Sequence, residues 1–402
     1  MNDMLKGKTI ILGVTGSIAA YKAAALASLL VKQHADVHVI MTSNATRFVS
    51  PLTFETLTGN KCVSDTFDRH FDFEVKHVSL AKKADLVLIA PCSANVIGKI
   101  AAGICDDMLT TTVFATKAKV LLSPAMNTGM WENPILQDNL RKLSAYGYEI
   151  IAPVEGRLAC GDVGTGKMPE PEQLLEHVLL ETEREKDLQG KKLLITAGPT
   201  QEAIDPVRYL TNHSSGKMGY ALAKAAVLRG ADVVLVSGPV HLEAFAGVRK
   251  IDVVSAAEMF EAVKQYGKDR DILILCAAVA DYAPAEYSPA KVKKQDGDLS
   301  LALSRTPDIL QYLGENKTKG QLLVGFSMET ENLIEHSREK LLRKKADMIC
   351  ANSISSDKTG FCVDTNQVTL ITADQTVELP LCSKEETAER ILTEVLTLSS
   401  RS

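Results

Sequence analysis

Apolar residues fall along this chain in short continuous runs, and each run ends in a turn that leads into a stretch of helical periodicity. Thr9–Ser17 (TIILGVTGS) and Lys192–Thr200 (KLLITAGPT) open this pattern twice. Each follows a Gly-Lys pair, Gly7-Lys8 and Gly190-Lys191, and each precedes Ala-rich residues at helical spacing, Ala19–Val31 and Gly219–Arg229. A second strand pattern comes next, ADVHVIMT from Ala35 and ADVVLVSGP from Ala231. The runs Asp85–Pro91 (DLVLIAP) and Asp271–Asp281 (DILILCAAVAD) are apolar without alternation. Such runs suit strands buried on both faces of a parallel sheet with helices on either side. The fold class that follows is α/β, with two doubly wound, Rossmann-like domains.

The charged stretch 179–189 (LLETEREKDLQ) reads as a helix tail or linker, so the domains are expected at 1–189 and 190–402. The last quarter differs in texture. Val363–Pro380 alternates apolar and polar residues around Ala373-Asp374, which predicts a β-hairpin added to the second domain, and Lys384–Leu398 predicts a closing helix.

A chain of 402 residues with 46% hydrophobic residues is long enough for two real cores. Its 45 Lys and Arg against 50 Asp and Glu leave a net charge of -5, which offers no attraction to nucleic acid or an anionic membrane. Small-molecule partners are favoured instead. No apolar run is long enough to span a bilayer, and Met1–Lys8 shows no signal pattern, so the expected location is the cytoplasm. The eight cysteines form no C-x-x-C pair, which argues against a zinc site or a disulfide framework.

In open α/β sheets, ligands sit at the carboxyl ends of the strands, where helix N-termini present backbone N–H groups. In the first half those ends carry Gly13–Ser17, Thr42–Asn44 and Cys92–Asn95, all rich in small hydroxyl or amide residues. Only Gly13 and Gly16 stand in the first turn and no acidic residue follows the second strand, so the dinucleotide fingerprint is missing and a mononucleotide fits better than NAD. Gly161–Lys167 (GDVGTGK) satisfies the start of a P-loop. Met168 then stands where a Ser or Thr is required, Pro169 and Pro171 follow, and no strand leads in; a glycine-rich flap, Gly156–Gly166, carrying Cys160 is the better reading.

The second half offers groups suited to phosphates. Asn212–Lys217 (NHSSGK) leads into a helix, Thr306-Pro307-Asp308 reads as another helix start with Thr306 as cap, and Lys340 and Lys344 share one helical face within Asn332–Lys345. Lys291, Lys293 and Lys294 form a further basic run. Taken singly, each feature is also an ordinary solvated face or capped helix.

The pieces TGSIAAYKA (15–23), HVSLAKKADLVLIAP (77–91), PCSAN (91–95), PAMN (124–127) and LACGDVGTGKM (158–168) make the first half resemble the flavin-dependent cysteine decarboxylases. The resemblance implies a flavodoxin-like flavoprotein holding FMN through Gly16, Ser17, Ser43, Ser93 and Asn95. It also implies His77 as a catalytic base, Asn127 on the substrate carboxylate and Cys160 as proton donor. Read from the residues alone, His77 is a capping or surface histidine, Cys160 a loop thiol and Asn127 a turn residue. The chemistry explains the set: a saturated amino-acid carboxylate has no electron sink, and flavin creates one by oxidising the substrate thiol to a thioaldehyde.

The second half resembles the phosphopantothenate–cysteine ligases through AGPTQEAIDPVRYLTNHSSGKMG (197–219), CAAVADY (276–282), KVKK (291–294), PDIL (307–310) and GFSMET (325–330). The fusion in this order is that of the bacterial bifunctional enzymes of coenzyme A biosynthesis. The resemblance implies 4'-phosphopantothenate, cysteine and CTP as substrates, with Mg2+ accompanying the triphosphate and a homo-oligomeric assembly. Asn212 and Lys291 are then catalytic. Ala277, Ala278, Asp281, Lys291, Pro307, Asp308, Ile309, Leu310, Phe326, Lys340 and Lys344 would surround CTP. The second reading is a regulatory FMN-binding protein of the same family, against which the joint presence of His77, Asn127 and Cys160 argues. A nicotinamide dehydrogenase lacks the fingerprint its cofactor needs.

Overall fold

The computed structural model describes residues 3–67, 76–158, 161–182, 185–293, 300–329, 332–353 and 365–400. The chain divides into two compact units, Met1–Arg184 and Glu185–Ser402. The charge pattern puts residues 185–189 in the first domain, yet they pack on the second unit. Leu188 is fully buried, its N–H donates to Arg229 O at 3.0 Å, and Asp187 pairs with the Arg229 guanidinium at 2.6 Å. Glu185 to Gln189 are thus the first residues of the second unit rather than a free linker.

In the first unit, β1 (Thr9–Val14), β2 (Asp36–Met41), β3 (Leu86–Cys92), β4 (Lys119–Pro124) and β5 (Glu149–Ile150) form a parallel sheet. Their order is β2-β1-β3-β4-β5, the flavodoxin-like arrangement, whose crevice for ligands opens between β1 and β3. Every residue of β1 and of β3 is buried, as unbroken apolar runs require. One face is covered by α1 (Ala20–Lys32), and α2 (Pro51–Thr58) packs on α1. After β2 the chain also forms α3 (Lys76–Lys83). The other face is covered by α4 (Ala94–Ala102), α5 (Met108–Ala115) and, after the single turn α6 (Thr128–Trp131), α7 (Pro134–Ala145). Ile97, Leu109 and Leu140 from these helices meet Ile11, Val87 and Leu122 of the sheet. Each such fully buried side chain contributes roughly 1.5–3 kcal/mol of transfer free energy. The glycine-rich flap is an antiparallel hairpin of β6 (Val154–Arg157) and β7 (Val163–Lys167), and α8 (Pro171–Thr182) returns onto α1. Gly161–Lys167 therefore lies in a hairpin and not in a strand–loop–helix, so the P-loop reading fails on geometry as well.

The second unit opens with β8 (Lys192–Ala197), followed by the short ribbon β9 (Gln201–Ala203) and β10 (Tyr209–Thr211). Then come α9 (Lys217–Leu228), β11 (Asp232–Ser237), β12 (Arg249–Asp252), α10 (Ala256–Tyr266) and β13 (Ile272–Leu275). A second ribbon, β14 (Tyr282–Pro284) with β15 (Leu303–Arg305), precedes α11 (Ile309–Asn316), β16 (Leu322–Glu329), α12 (Leu333–Lys344) and β17 (Met348–Ser353). The chain ends with β18 (Thr365–Asn366), β19 (Val368–Ile371), β20 (Thr376–Glu378), β21 (Cys382–Ser383) and α13 (Lys384–Ser399).

The main sheet runs β12-β11-β8-β13-β16-β17-β19-β20. Its first six strands are parallel in the Rossmann order, with the crevice between β8 and β13, and the antiparallel β19–β20 hairpin is the one that alternation predicts. Two expectations need correction. The apolar run 271–281 is strand only to Leu275, because beyond it the backbone bonds to the end of β8 and the turn that follows. Ala277 N–H donates to Thr196 Oγ1 at 3.1 Å, Ala278 N–H to Gly198 O at 2.9 Å and Ala280 N–H to Thr200 Oγ1 at 3.0 Å. Likewise, the cap of α11 is Asp308, which accepts from Gln311 N–H at 2.9 Å, while the Thr306 hydroxyl donates to Ala280 O at 2.6 Å.

Candidate functional site

In the first unit, the loops after β1, β2 and β3 are tied into one polar edge. Thr15, fully buried, donates its hydroxyl to Pro91 O at 2.7 Å and accepts from Ser93 N–H at 2.9 Å. A Cβ on Gly16 would lie 2.5 Å from Asn44 Cβ, so the first and second loops approach as closely as only glycine allows. Ser17 stands before α1 with its hydroxyl accepting from Ala19 N–H at 3.3 Å, and Ser93 caps α4, whose first turn exposes Asn95. Ser43 is exposed in the middle loop. Gly16, Ser17, Ser43, Ser93 and Asn95 thus share one sheet edge at two helix N-termini, an arrangement able to hold an anion with neutral donors. Thr15 and Asn44, absent from the site set read from the sequence, hold this edge together. Their signal was only that of small polar residues in a turn.

Asn127 follows β4 and caps α6, accepting from Gly129 N–H at 2.8 Å, and its amide reaches Asp162 Oδ2 at 3.5 Å. The flap docks on this loop. Met126 N–H donates to Gly166 O at 3.0 Å, and a Cβ on Gly166 would fall 2.2 Å from Met126 O, where only glycine at φ 152° fits. The hairpin is therefore held against Asn127; Cys160 lies outside the described residues. A buried lysine fastens the far end: Lys22 Nζ donates to Glu170 at 2.8 Å and to Met168 O at 3.3 Å. His77 is the second residue of α3, half-buried, on a helix that packs against α5.

In the second unit, a cavity of about 920 Å3 opens beside β13 and β16 at their carboxyl ends. Its wall includes Ala277, Ala278, Asp281, Pro307, Asp308, Ile309, Leu310, Phe326, Lys340 and Lys344. Lys340 Nζ donates to Phe326 O at 2.9 Å, while Lys344, whose side chain is 9% exposed, pairs with Asp308 and donates to Gln311 Oε1 at 3.0 Å. Burial pushes the Asp308 carboxyl up, but its hydrogen bonds from the Lys344 ammonium and Gln311 N–H, with the charges of Lys344 and Lys340, together outweigh it and hold the group below the usual carboxylate range. Asn212 and Lys291 are not part of this wall. Asn212 directs its amide to Ala278 O, at 2.9 Å, and so touches the back of the loop that forms it.

Lys384, Asn352 and Asn366 of the wall were not anticipated. Residues 214–219, the first four of them in the Asn212–Lys217 stretch that the sequence marks as suited to phosphates, also line the cavity, and their glycines complete a fingerprint that the sequence divides. Gly198 (φ 77°) makes the turn after β8, Gly216 (φ 77°) approaches it so closely that a Cβ would lie 3.4 Å from Gly198 Cα, and a Cβ on Gly219 would sit 2.5 Å from Ala197 Cβ. These are the tight turn, the open backbone and the close helix–strand contact of a phosphate-binding βα unit, separated here by the β9–β10 ribbon. Lys384, Asn352 and Asn366 also line the cavity, and the Oδ1 atoms of both asparagines are buried without a protein partner. A ligand bearing donors would complete that wall. Cys276 belongs to it too; burial pushes its thiol up to about 12, so it is a neutral packing group at neutral pH.

Residues 1–182 match the family described as Flavoprotein, and residues 188–398 match the DNA/pantothenate metabolism flavoprotein C-terminal domain. The chain is similar to the coenzyme A biosynthesis bifunctional protein CoaBC of Bacillus subtilis, with 48% identity over 404 residues covering 99% of each chain. It is 42% identical over 396 residues to the protein of the same name from Escherichia coli K12, covering 98% of each. Among solved structures, the C-terminal domain of a CoaBC protein aligns at 46% identity and a TM-score of 0.46, over 54% of this chain and 98% of that one.

Proposed function

This chain belongs to the family of bifunctional coenzyme A biosynthesis proteins, and on that premise we propose that its second unit joins cysteine to 4'-phosphopantothenate and its first decarboxylates the product to 4'-phosphopantetheine. The observation that carries the reading is the end-to-end match across both units, which brings a decarboxylase half and a ligase half together on one chain.

In the ligation, the phosphopantothenate carboxylate attacks the α-phosphorus of CTP and pyrophosphate leaves, giving an acyl-cytidylate; the cysteine amine then attacks the acyl carbon and CMP departs. The nucleotide lies against Ala277, Ala278, Asp281, Pro307, Asp308, Ile309, Leu310 and Phe326. Its phosphates meet Lys291, Lys340, Lys344 and the N-terminal turn of α9, which neutralise charge building on the leaving group. Asn212 steadies the acyl group during transfer. Mg2+ arrives with the triphosphate as part of the substrate.

In the first unit, the neutral edge around Thr15, Gly16, Ser17, Ser43, Ser93 and Asn95 suits a flavin mononucleotide, since the contact of Gly16 with Asn44 leaves a smooth backbone cradle at two helix N-termini. A bound FMN supplies the two-electron sink that a saturated carboxylate lacks. His77 takes the proton released from the substrate, Asn127 holds the carboxylate that is lost as CO2, and Cys160 returns a proton to carbon beneath the flap. The protein works as a homo-oligomer in the cytoplasm. Exposed apolar side chains of both units, among them Ile18, Tyr21, Leu52, Val207, Tyr209 and Leu303, suit contacts between copies, and no helix among the described residues is long and apolar enough to cross a membrane.

The deciding experiment follows CO2 release with cysteine, phosphopantothenate and either CTP or ATP, in the wild type and two variants. Yellow wild-type protein is expected to release CO2 with CTP. His77→Asn is expected to ligate without decarboxylating, and Asn212→Asp to decarboxylate supplied phosphopantothenoylcysteine without ligating. Equal loss of both activities in either variant sinks the division of labour, and equal turnover with ATP sinks the nucleotide assignment.

A further inference from the structure

The β9–β10 ribbon interrupts the βα unit that forms the nucleotide wall, and Asn212 directly follows its last residue, Thr211. Its tip, Ile204–Arg208, closes on itself: Ile204 N–H donates to Arg208 O at 2.8 Å, and Asp205 Oδ1 accepts from Val207 N–H at 2.8 Å and Arg208 N–H at 2.9 Å. The Asp205 side chain is 0% exposed. Its Oδ2 pairs with the Arg208 guanidinium and also accepts from Val292 N–H at 3.1 Å, while Arg208 Nη2 donates to Val292 O at 2.9 Å. Val292 is thus gripped at both of its backbone polar groups, and it stands between Lys291 and Lys293. A third tie, from Ser288 N–H to Ile204 O at 3.0 Å, fixes the approach to this segment.

We propose that Asp205 is a positioning residue for ligation. Through Val292 it fixes the basic segment Lys291–Lys293, and through the ribbon it couples that segment to Asn212. The inference rests on the assignment of Lys291 and Asn212 to the ligase step. A cation on an untethered segment must be ordered by each incoming nucleotide, so apparent affinity falls by the fraction of time the segment is in place. Asparagine at position 205 would either face Val292 N–H and Arg208 with an amide N–H or abandon the Asx turn, because one oxygen cannot serve both sets of donors.

The test uses the full chain. Asp205→Asn is expected to raise the KM for CTP about tenfold with kcat little changed. It should also speed tryptic cleavage after Lys291 and Lys293 and leave decarboxylation of supplied phosphopantothenoylcysteine intact. Val292→Pro, which removes the donor without touching the carboxylate, should reproduce the KM effect and the faster cleavage after Lys293 even if Asp205→Asn folds poorly, the bond from Lys291 to the new proline itself being resistant to trypsin. In a Lys291→Met, Lys293→Met background the KM effect of Asp205→Asn should vanish, as coupling through those lysines demands. Unchanged cleavage and KM in both single variants overturn the proposal, as does an undiminished effect in the double-lysine background. If Lys291→Met alone ligates normally, the role given to Lys291 has failed, and the cleavage assay still decides whether Asp205 anchors the segment.

Discussion

At the β1/β3 edge of the first unit the groups available to a ligand are neutral, hydroxyls and amides fixed by loop contacts such as Thr15 to Pro91 and Gly16 to Asn44. At the β8/β13 edge of the second they are charged, and Lys344 is paired with Asp308. Both edges lie at the switch point of a doubly wound sheet, where the topology leaves a crevice. The difference teaches that the crevice is set by strand order, whereas the means of gripping a ligand is set by the loops and helix faces grafted on it. A neutral edge holds by shape and is vulnerable to added volume; a charged cavity holds by ion pairs and is vulnerable to lost charge.

The largest effect expected from this contrast is that of Gly16→Ala. The new methyl would sit 2.5 Å from Asn44 Cβ, a separation no real contact tolerates, so the two loops must part. The variant is expected to purify nearly colourless while ligating at the wild-type rate, and full flavin absorbance in it would break the comparison. Next comes Lys344→Met. A charge-assisted hydrogen bond contributes about 1.5–3 kcal/mol, so the KM for CTP should rise roughly tenfold or more, with flavin content unchanged. In the wild type, added salt should weaken CTP more than it weakens retention of flavin.

The smallest effect is on pH dependence. Because Asp308 is held below its unfolded value of roughly 3.9, its contribution is complete above that pH and is lost as pH falls through the lower folded value. The acid limb of the second unit's unfolding should therefore be steeper in the wild type than in Lys344→Met. Fluorescence of Trp131, the sole tryptophan and a residue of the first unit, serves as the control. Parallel acid limbs would sink this last prediction.

Much of the architecture is legible in the chain. The unbroken apolar runs 86–92 and 193–197 become fully buried parallel strands, and the alternation after Val363 becomes the β19–β20 hairpin. The i, i+4 spacing of Lys340 and Lys344 puts both on the cavity wall. Other features resisted because local signals have several outlets. DILILCAAVAD reads as one strand, yet its second half spends its backbone groups on Gly198 and Thr200. Thr306 reads as a cap, but the neighbouring carboxylate of Asp308 takes that role and frees the hydroxyl to hold Ala280.

By itself the sequence determined the two doubly wound units and the turns at which their crevices open, since burial on two faces demands apolar runs and small residues must follow them. It also carried, by resemblance, the chemistry expected of each half. Only the tertiary structure decided which distant groups meet. Gly198 joins Gly216 and Gly219 into one phosphate-type turn, Asp205 grips Val292 across 87 positions, and Asn352, Asn366 and Lys384 reach the same wall from the end of the chain. Such meetings depend on how the sheet closes and which connections fold back over its edge, and no local periodicity encodes a contact between segments that far apart.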